Sequence, residues 1–136
     1  MSVLLICDQN PPSVLPDDSI AQAVRQMLRA HTGAVAVIDS QGVVAGIFTE
    51  RDVLKRITLS WRDLDATPIR DVMTTPVEMA TEKTTDAEAL AVMIERHYRH
   101  MPVVDGHGRL LGMLSIRHVL ELRIDELLHQ MSAKTK

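Results

Sequence analysis

The sequence predicts an α+β protein built from two copies of one unit, each an extended segment, a helix, a hairpin and a second helix, the copies packed sheet to sheet about a pseudo-twofold axis. The first observation behind it is internal repetition. At an offset of 66 the 136-residue chain matches itself without gaps: Ala21, Ala23, Met27, His31, Val37, Asp39, Gly42, Gly46, Arg51, Val53 and Leu54 meet Ala87, Ala89, Met93, His97, Val103, Asp105, Gly108, Gly112, Arg117, Val119 and Leu120, 11 identities within residues 21–54. The second is an apolar stripe at helical spacing behind a hydroxyl residue, Ser19 before Ile20, Ala23, Val24, Met27 and Leu28, and Thr85 before Ala89, Leu90, Met93 and Ile94. The third is a pair of β-rich runs joined by a turn-forming stretch, Ala34–Ile38 and Val43–Phe48 around Asp39-Ser40-Gln41-Gly42. The second copy has Met101–Val104 and Leu110–Leu114 around Asp105-Gly106-His107-Gly108.

A second helix is expected from near Thr49 and from near Ser115. Halves of this size cannot easily bury a sheet alone, so each should cover the other. The boundaries that follow are residues 1–60 for repeat 1, 61–70 for a linker holding Trp61 and Pro68, 71–124 for repeat 2, and 125–136 for a C-terminal helical extension. Val119, Leu120, Ile124, Leu127, Leu128 and Met131 carry an apolar stripe about two turns past the first copy's end. Such a stripe either meets a partner or folds back on the linker.

Composition narrows the function. Hydrophobic residues make up 46% of the chain, enough for a core. A net charge of -3 without a Lys/Arg run argues against nucleic acid, since phosphate neutralisation needs clustered cations. The lone Cys7 has no internal disulfide partner, which fits a cytoplasmic setting, and lacks a neighbouring group to activate it as a nucleophile. No apolar stretch approaches the roughly 20 residues of a membrane span, and no signal peptide is visible. His97, His100 and His107 invite a metal, but the helix should end between the first two and no carboxylate completes a set. Nothing resembles a phosphate-binding Gly-rich loop or a Ser-His-Asp order. The eight Met residues fall mostly at core spacing.

The runs Asp71-Val72-Met73-Thr74, Tyr98-Arg99-His100-Met101-Pro102-Val103-Val104-Asp105, Gly108-Arg109-Leu110-Leu111-Gly112 and Gly46-Ile47-Phe48-Thr49-Glu50-Arg51-Asp52, in order and at constant offset, resemble the cystathionine-β-synthase (CBS) domain family. Nearly all of residues 6–124 resembles one tandem CBS pair, a Bateman module. The resemblance implies an α/β-type fold of two β-α-β-β-α halves with a cleft on each side of the pseudo-twofold. It implies adenosine-containing ligands there, AMP, ADP or ATP first, with NAD or S-adenosylmethionine as further candidates and no required cofactor. It also implies a regulatory role and, commonly, a homodimer formed through the helices.

In the family pattern Gly-apolar-apolar-Thr/Ser-x-x-Asp, the Asp accepts from the ribose hydroxyls, a charge-assisted pair. The hydroxyl and the helix N-terminus face the phosphates. Repeat 1 matches with Gly46, Thr49 and Asp52; repeat 2 has Gly112 and Ser115 but His118 in place of the Asp. By resemblance, Asp52, Thr49 and Arg51 should face a base pocket made by Val77, Met79, Tyr98, His100, Met101 and Pro102. The opposite, degenerate site would combine Ser115, Arg117 and His118 with Val35, where Ala36 replaces the Pro. On spacing alone, Thr49-x-x-Asp52 could equally be a helix cap, and the two roles are compatible. Arg51 and Arg117 either reach phosphates or are solvated first-turn residues.

The sequence therefore points to a free-standing, cytoplasmic, non-catalytic nucleotide sensor with one competent site, acting on an unknown protein effector. The alternatives are a ligand-independent dimerisation module with vestigial sites and a small enzyme; no convergent nucleophile or acid–base pair supports the latter.

Overall fold

The computed structural model describes residues 1–134. Along the chain run β1 (Ser13–Val14), α1 (Ile20–Ala30), β2 (Ala34–Ile38), β3 (Val44–Thr49) and α2 (Glu50–Asp52, continued as a π-helical segment over Val53–Ile57). The second copy supplies β4 (Ala80–Thr81), α3 (Asp86–Arg96), β5 (His100–Val104), β6 (Leu110–Ser115) and α4 (Ile116–Lys134). Single 3-10 turns occupy Val3–Leu5 and Ile69–Asp71. Of the extension at 125–136, the last two residues lie outside the described residues.

The identities at offset 66 have local physical causes. Ser19 accepts from Gln22 N–H to start α1, and Thr85 from Glu88 N–H to start α3. His31 and His97 end these helices in the left-handed conformation, at φ 51° and 60°. The Asp39 carboxylate accepts from Gln41 and Val43 N–H at 2.9 and 3.0 Å, and Asp105 accepts from His107 and Arg109 N–H at 2.8 and 3.0 Å. Each turn then passes through a glycine at positive φ, Gly42 or Gly108.

Each repeat forms a three-stranded sheet, ordered β1-β2-β3 and β4-β5-β6, with the first pair parallel and the second antiparallel. Strand alternation divides the apolar residues between layers. Val35 and Val37 turn into a core with Ile20, Ala23, Met27 and Phe48. Met101 and Val103 turn into a second core with Ala89, Met93, Leu114 and Val119. Ala34, Ala36, Ile47 and Met113 form a third cluster between the two sheets. The hairpin turns close this layer reciprocally: Val44 N–H donates to Gly108 O, and Leu110 N–H to Gly42 O, both at 3.0 Å.

The segments leading into the repeats are exchanged. Val3 lies in the core of repeat 2, while Ile69 and Val72 lie in that of repeat 1. Thr74 and Ile47 exchange backbone hydrogen bonds of 2.8 and 3.0 Å; 66 residues earlier, Asp8 and Met113 exchange bonds of 3.0 and 2.9 Å. Glycine permits this approach. A Cβ at Gly46 would stand 2.5 Å from Met73 Sδ, and one at Gly112 would stand 2.6 Å from Cys7 Sγ and 2.7 Å from Asp8 O.

Helix α4 has 19 residues, against eight for α2 with its π-helical continuation, so it runs about three turns further. Arg123 pairs with Asp86 at 3.0 Å, holding its first half against α3. Beyond Val119 the stripe does not fold back on the linker. Ile124, Leu127, Leu128 and Met131 are 55–61% exposed, and Trp61 is fully exposed.

Candidate functional site: two clefts between the repeats

Two clefts open where the repeats meet. The first, of about 310 Å³, is lined by Thr49, Glu50, Arg51, Asp52, Lys55 and Arg56 from repeat 1. Thr74, Val77, Glu78, Arg96, His97, Tyr98, Arg99 and His100 complete it. The second, of about 650 Å³, is lined by Ser115, Arg117, His118, Arg99 and His100, with Asp8, Met27, His31, Gly33 and Glu50 among the residues facing them. Gly33, Glu50, Arg99 and His100 border both and form the wall between them.

In the first cleft the helix start doubles as the wall. Asp52 N–H donates to Thr49 Oγ1 at 3.3 Å, and Asp52 Oδ2 accepts from Thr49 N–H at 3.0 Å. This reciprocal cap realises the structural role that the spacing allowed. The carboxylate does more. Thr74 Oγ1 donates to Oδ1 at 2.8 Å, and Arg56 Nε lies 3.7 Å from the same oxygen. Asp52 is thus a buried, only 5% exposed anion whose acceptor sites are largely filled. Arg56 also donates to Val72 O and Met73 O, tying α2 to the exchanged segment. Arg51 donates to His97 O at 2.7 Å, bridging the cleft from α2 to the end of α3.

In the second cleft an imidazole replaces the carboxylate in the cap. Ser115 N–H donates to His118 Nδ1 at 3.0 Å, and His118 N–H donates to Ser115 Oγ at 3.3 Å. This requires a lone pair on Nδ1, so the neutral ring carries its proton on Nε2. Burial lowers the His118 pKa first and Arg117 lowers it further, against Glu121 and Asp8, which favours that neutral form. Arg117 pairs with Glu121 at 3.5 Å. His100, in the shared wall, is also held below the ordinary histidine value, by burial first, against the opposing charge of Glu50.

Of the residues expected around the first cleft, Thr49, Arg51, Asp52, Val77, Tyr98 and His100 come together there. Met79, Met101 and Pro102 do not. His100 faces the cleft, so the next residue of β5 must face the other way, and Met101 is buried in the core of repeat 2. Pro102 is fully buried beyond it, and Met79 lies outside the cleft, 42% exposed. In the second cleft Ser115, Arg117 and His118 take their expected places, whereas Val35 is fully buried in the first core by the same alternation. Sequence reasoning missed Glu50, Arg56, Thr74, Arg99 and Asp8. Extending the offset of 66 beyond residues 21–54 would have paired Asp8 with Thr74. Among the described residues, no group of three His, Cys, Asp or Glu side chains could hold a metal. No described helix is long and apolar enough to cross a membrane.

Two pseudo-symmetric α+β repeats that exchange their leading segments and enclose paired clefts define a tandem two-repeat module. The CBS domain family model matches residues 5–59 and 69–125, and the chain belongs to that family. A 17.7 kDa protein of Acidianus ambivalens is 39% identical over 82% of this chain and 66% of its own length. The mitochondrial CBS domain-containing protein CBSX3 of Arabidopsis thaliana is 33% identical over 81% of this chain and 55% of its own. The chain thus spans between half and two thirds of these relatives. Among solved structures, a CBS-domain containing protein of Agrobacterium tumefaciens superposes with a TM-score of 0.78 at 33% identity, covering 89% of this chain and 90% of that one. Two others share the fold at lower identity. CBSX2, solved in complex with AMP, gives a TM-score of 0.78 at 23% identity, covering 91% of this chain and 96% of that one. The CBS pair of MJ0100, solved with 5′-methylthioadenosine and S-adenosylmethionine, gives 0.83 at 21%, covering 93% and 98%.

Proposed function

We propose that the chain is a non-catalytic regulatory module that binds an adenosine-containing nucleotide, AMP, ADP or ATP, in the first cleft and relays its presence to a protein partner. The observation that carries this is the buried Asp52 carboxylate at the head of α2, across the cleft from Val77, Tyr98 and His100 of the other repeat. Ribose hydroxyls would replace the Thr74 hydroxyl and Arg56 on Asp52. The base would lie against Val77 and Tyr98, and Arg51, Lys55, Arg96 and Arg99 supply charge for phosphate. A ligand touching both repeats favours one relative orientation of them in proportion to its differential affinity, which is the relay. A homodimer through the exposed face of α4 and a cytoplasmic setting complete the proposal.

The test is a melting-temperature panel with AMP, ADP, ATP, NAD and S-adenosylmethionine on wild type and Asp52→Asn, which keeps an acceptor for the cap. A ligand at 100 times its dissociation constant adds about 2.7 kcal/mol, several degrees for a chain of this size. One ligand shifting wild type and not Asp52→Asn supports the proposal; no shift with any of the five overturns it. The filled acceptors of Asp52 favour a second reading, a ligand-independent dimerisation module. That reading expects a concentration-dependent dimer that none of the five ligands alters.

A further inference from the structure

On the outward side of the helices, the offset of 66 keeps the apolar residues and reverses the charges beside them. Helices α1 and α2 pack on the core of repeat 1, through Met27 and Val53 among others, and α3 and α4 pack on that of repeat 2 through Met93 and Val119. Outward, α1 and α2 leave Leu28 and Leu54 uncovered, and α3 and α4 leave the equivalents Ile94 and Leu120, at 48–70% exposure. The next residue along each helix sets the sign. Arg29 follows Leu28 and Lys55 follows Leu54, whereas Glu95 follows Ile94 and Glu121 follows Leu120. All four charged side chains are exposed.

These charges are available to a partner. Arg29, Lys55 and Glu95 have no ion-pair partner among the described residues, and Glu121 meets Arg117 through Oε1 alone, at 3.5 Å. The countercharge nearest to Glu95 in sequence, Arg96, is engaged by Glu78 at 3.6 Å. Each repeat thus offers the same two apolar side chains, flanked by bases on repeat 1 and by acids on repeat 2. A second copy set like on like brings bases to bases and acids to acids; repeat 1 set on repeat 2 brings opposite signs together. Juxtaposed like charges exclude the first arrangement more strongly than exposed ion pairs reward the second. We propose that two copies of the chain pair head to tail, α1 and α2 of one against α3 and α4 of the other. A twofold axis makes this contact twice and closes the assembly at two copies. The inference rests on the homodimer proposed for α4 and names the surface of the second copy that this helix meets.

The test is sedimentation of the nucleotide-free full chain at low salt, for wild type and two double variants. Arg29→Glu with Lys55→Glu makes both faces acidic, and Glu95→Lys with Glu121→Lys makes both basic. Each should raise the dimer dissociation constant about tenfold or more, and high salt should shrink the difference from wild type. Mixing the two double variants, or combining all four substitutions in one chain, should restore wild-type association. A like-on-like dimer already brings equal signs together in wild type, so it predicts no weakening in either double variant. A wild-type dimer that either double variant leaves intact therefore overturns the head-to-tail pairing and leaves the homodimer standing, whereas a monomeric wild type overturns both. Cross-linking is independent of charge and keeps the test decisive if a charge variant folds poorly. In a Cys7→Ala background, Leu28→Cys and Ile94→Cys chains should form more disulfide-linked dimer when mixed than either forms alone. Preferential linkage of each to itself overturns the pairing.

Discussion

The two clefts share a backbone and differ in where their charges sit. In the first, the carboxylate is on the helix, 5% exposed and engaged by Thr49, Thr74 and Arg56. In the second, the helix carries a neutral imidazole and the carboxylate stands on the opposite wall, exposed to the cavity. Duplication has kept what the fold needs, a side-chain acceptor for the first amide of the helix, and has varied what the fold does not need. A carboxylate and an imidazole nitrogen do that capping work at the same 3.0 Å. Position 52/118 is thus a cap before it is a ligand contact.

The comparison breaks most severely at Asp52. Asp52→Ala leaves the Thr49 amide, the Thr74 hydroxyl and Arg56 without their acceptor, and should cost about 2–3 kcal/mol in denaturant unfolding. The equivalent His118→Ala should cost about 1 kcal/mol, since it removes a cap and no network. Next come the glycines. Gly112→Ala drives a Cβ onto backbone and sulfur of the exchanged segment and should cost about 2 kcal/mol. Gly46→Ala meets Met73 first, a side chain that can yield, and should cost less.

A double-mutant cycle sharpens the inversion. His118→Asp sets a carboxylate across from Asp8 and should destabilise the chain at neutral pH by about 1 kcal/mol. Adding Asp8→Thr rebuilds the arrangement of the first cleft and should recover most of it, a positive coupling of the same size. Titration gives a smaller effect. His100 and His118 both have pKa values lowered from 6.5, by burial first, so the unfolded chain binds more protons as pH falls. Stability is therefore full above about 6.5 and declines below it. Melting temperature should drop between pH 7.5 and 5.5, and His118→Asn, which keeps an acceptor for Ser115 N–H, should remove part of the drop. Smallest of all, Leu127→Lys and Leu128→Lys on the exposed face of α4 should change monomer stability by less than about 0.5 kcal/mol. Sedimentation would show whether they dissociate a dimer.

What the sequence made legible was local. Ser19 and Thr85 announce helix starts, Asp39-x-x-Gly42 and Asp105-x-x-Gly108 announce turns, and each works through neighbours within four residues. The site was legible where local chemistry and cleft coincide, as at Thr49 and Asp52. Met101 and Val35 were misplaced because a motif written as a string ignores the period of two that sends adjacent strand residues to opposite faces, whereas Pro102, on the same face as His100, is fully buried. Thr74 and Asp8 escaped because their partners lie 22 and 105 residues away, and pairings at such separations leave no local pattern; Arg56, four residues from Asp52, was within local reach and was overlooked.

The exchange of leading segments carries a last consequence. Each repeat completes its core with a strand of chain that belongs, by sequence, to the other, so neither is a separable piece. A cut in the exposed loop around Trp61 would leave two polypeptides that interlock reciprocally, like halves of an arm-exchanged dimer. Halves 1–60 and 61–136 made apart should stay unfolded singly and fold on mixing. The single-repeat ancestor implied by the offset of 66 had the same unmet need, which two identical chains trading arms would satisfy. The loop between the repeats turned that trade between molecules into one within a single molecule, and each half was then free to diverge around its own cleft.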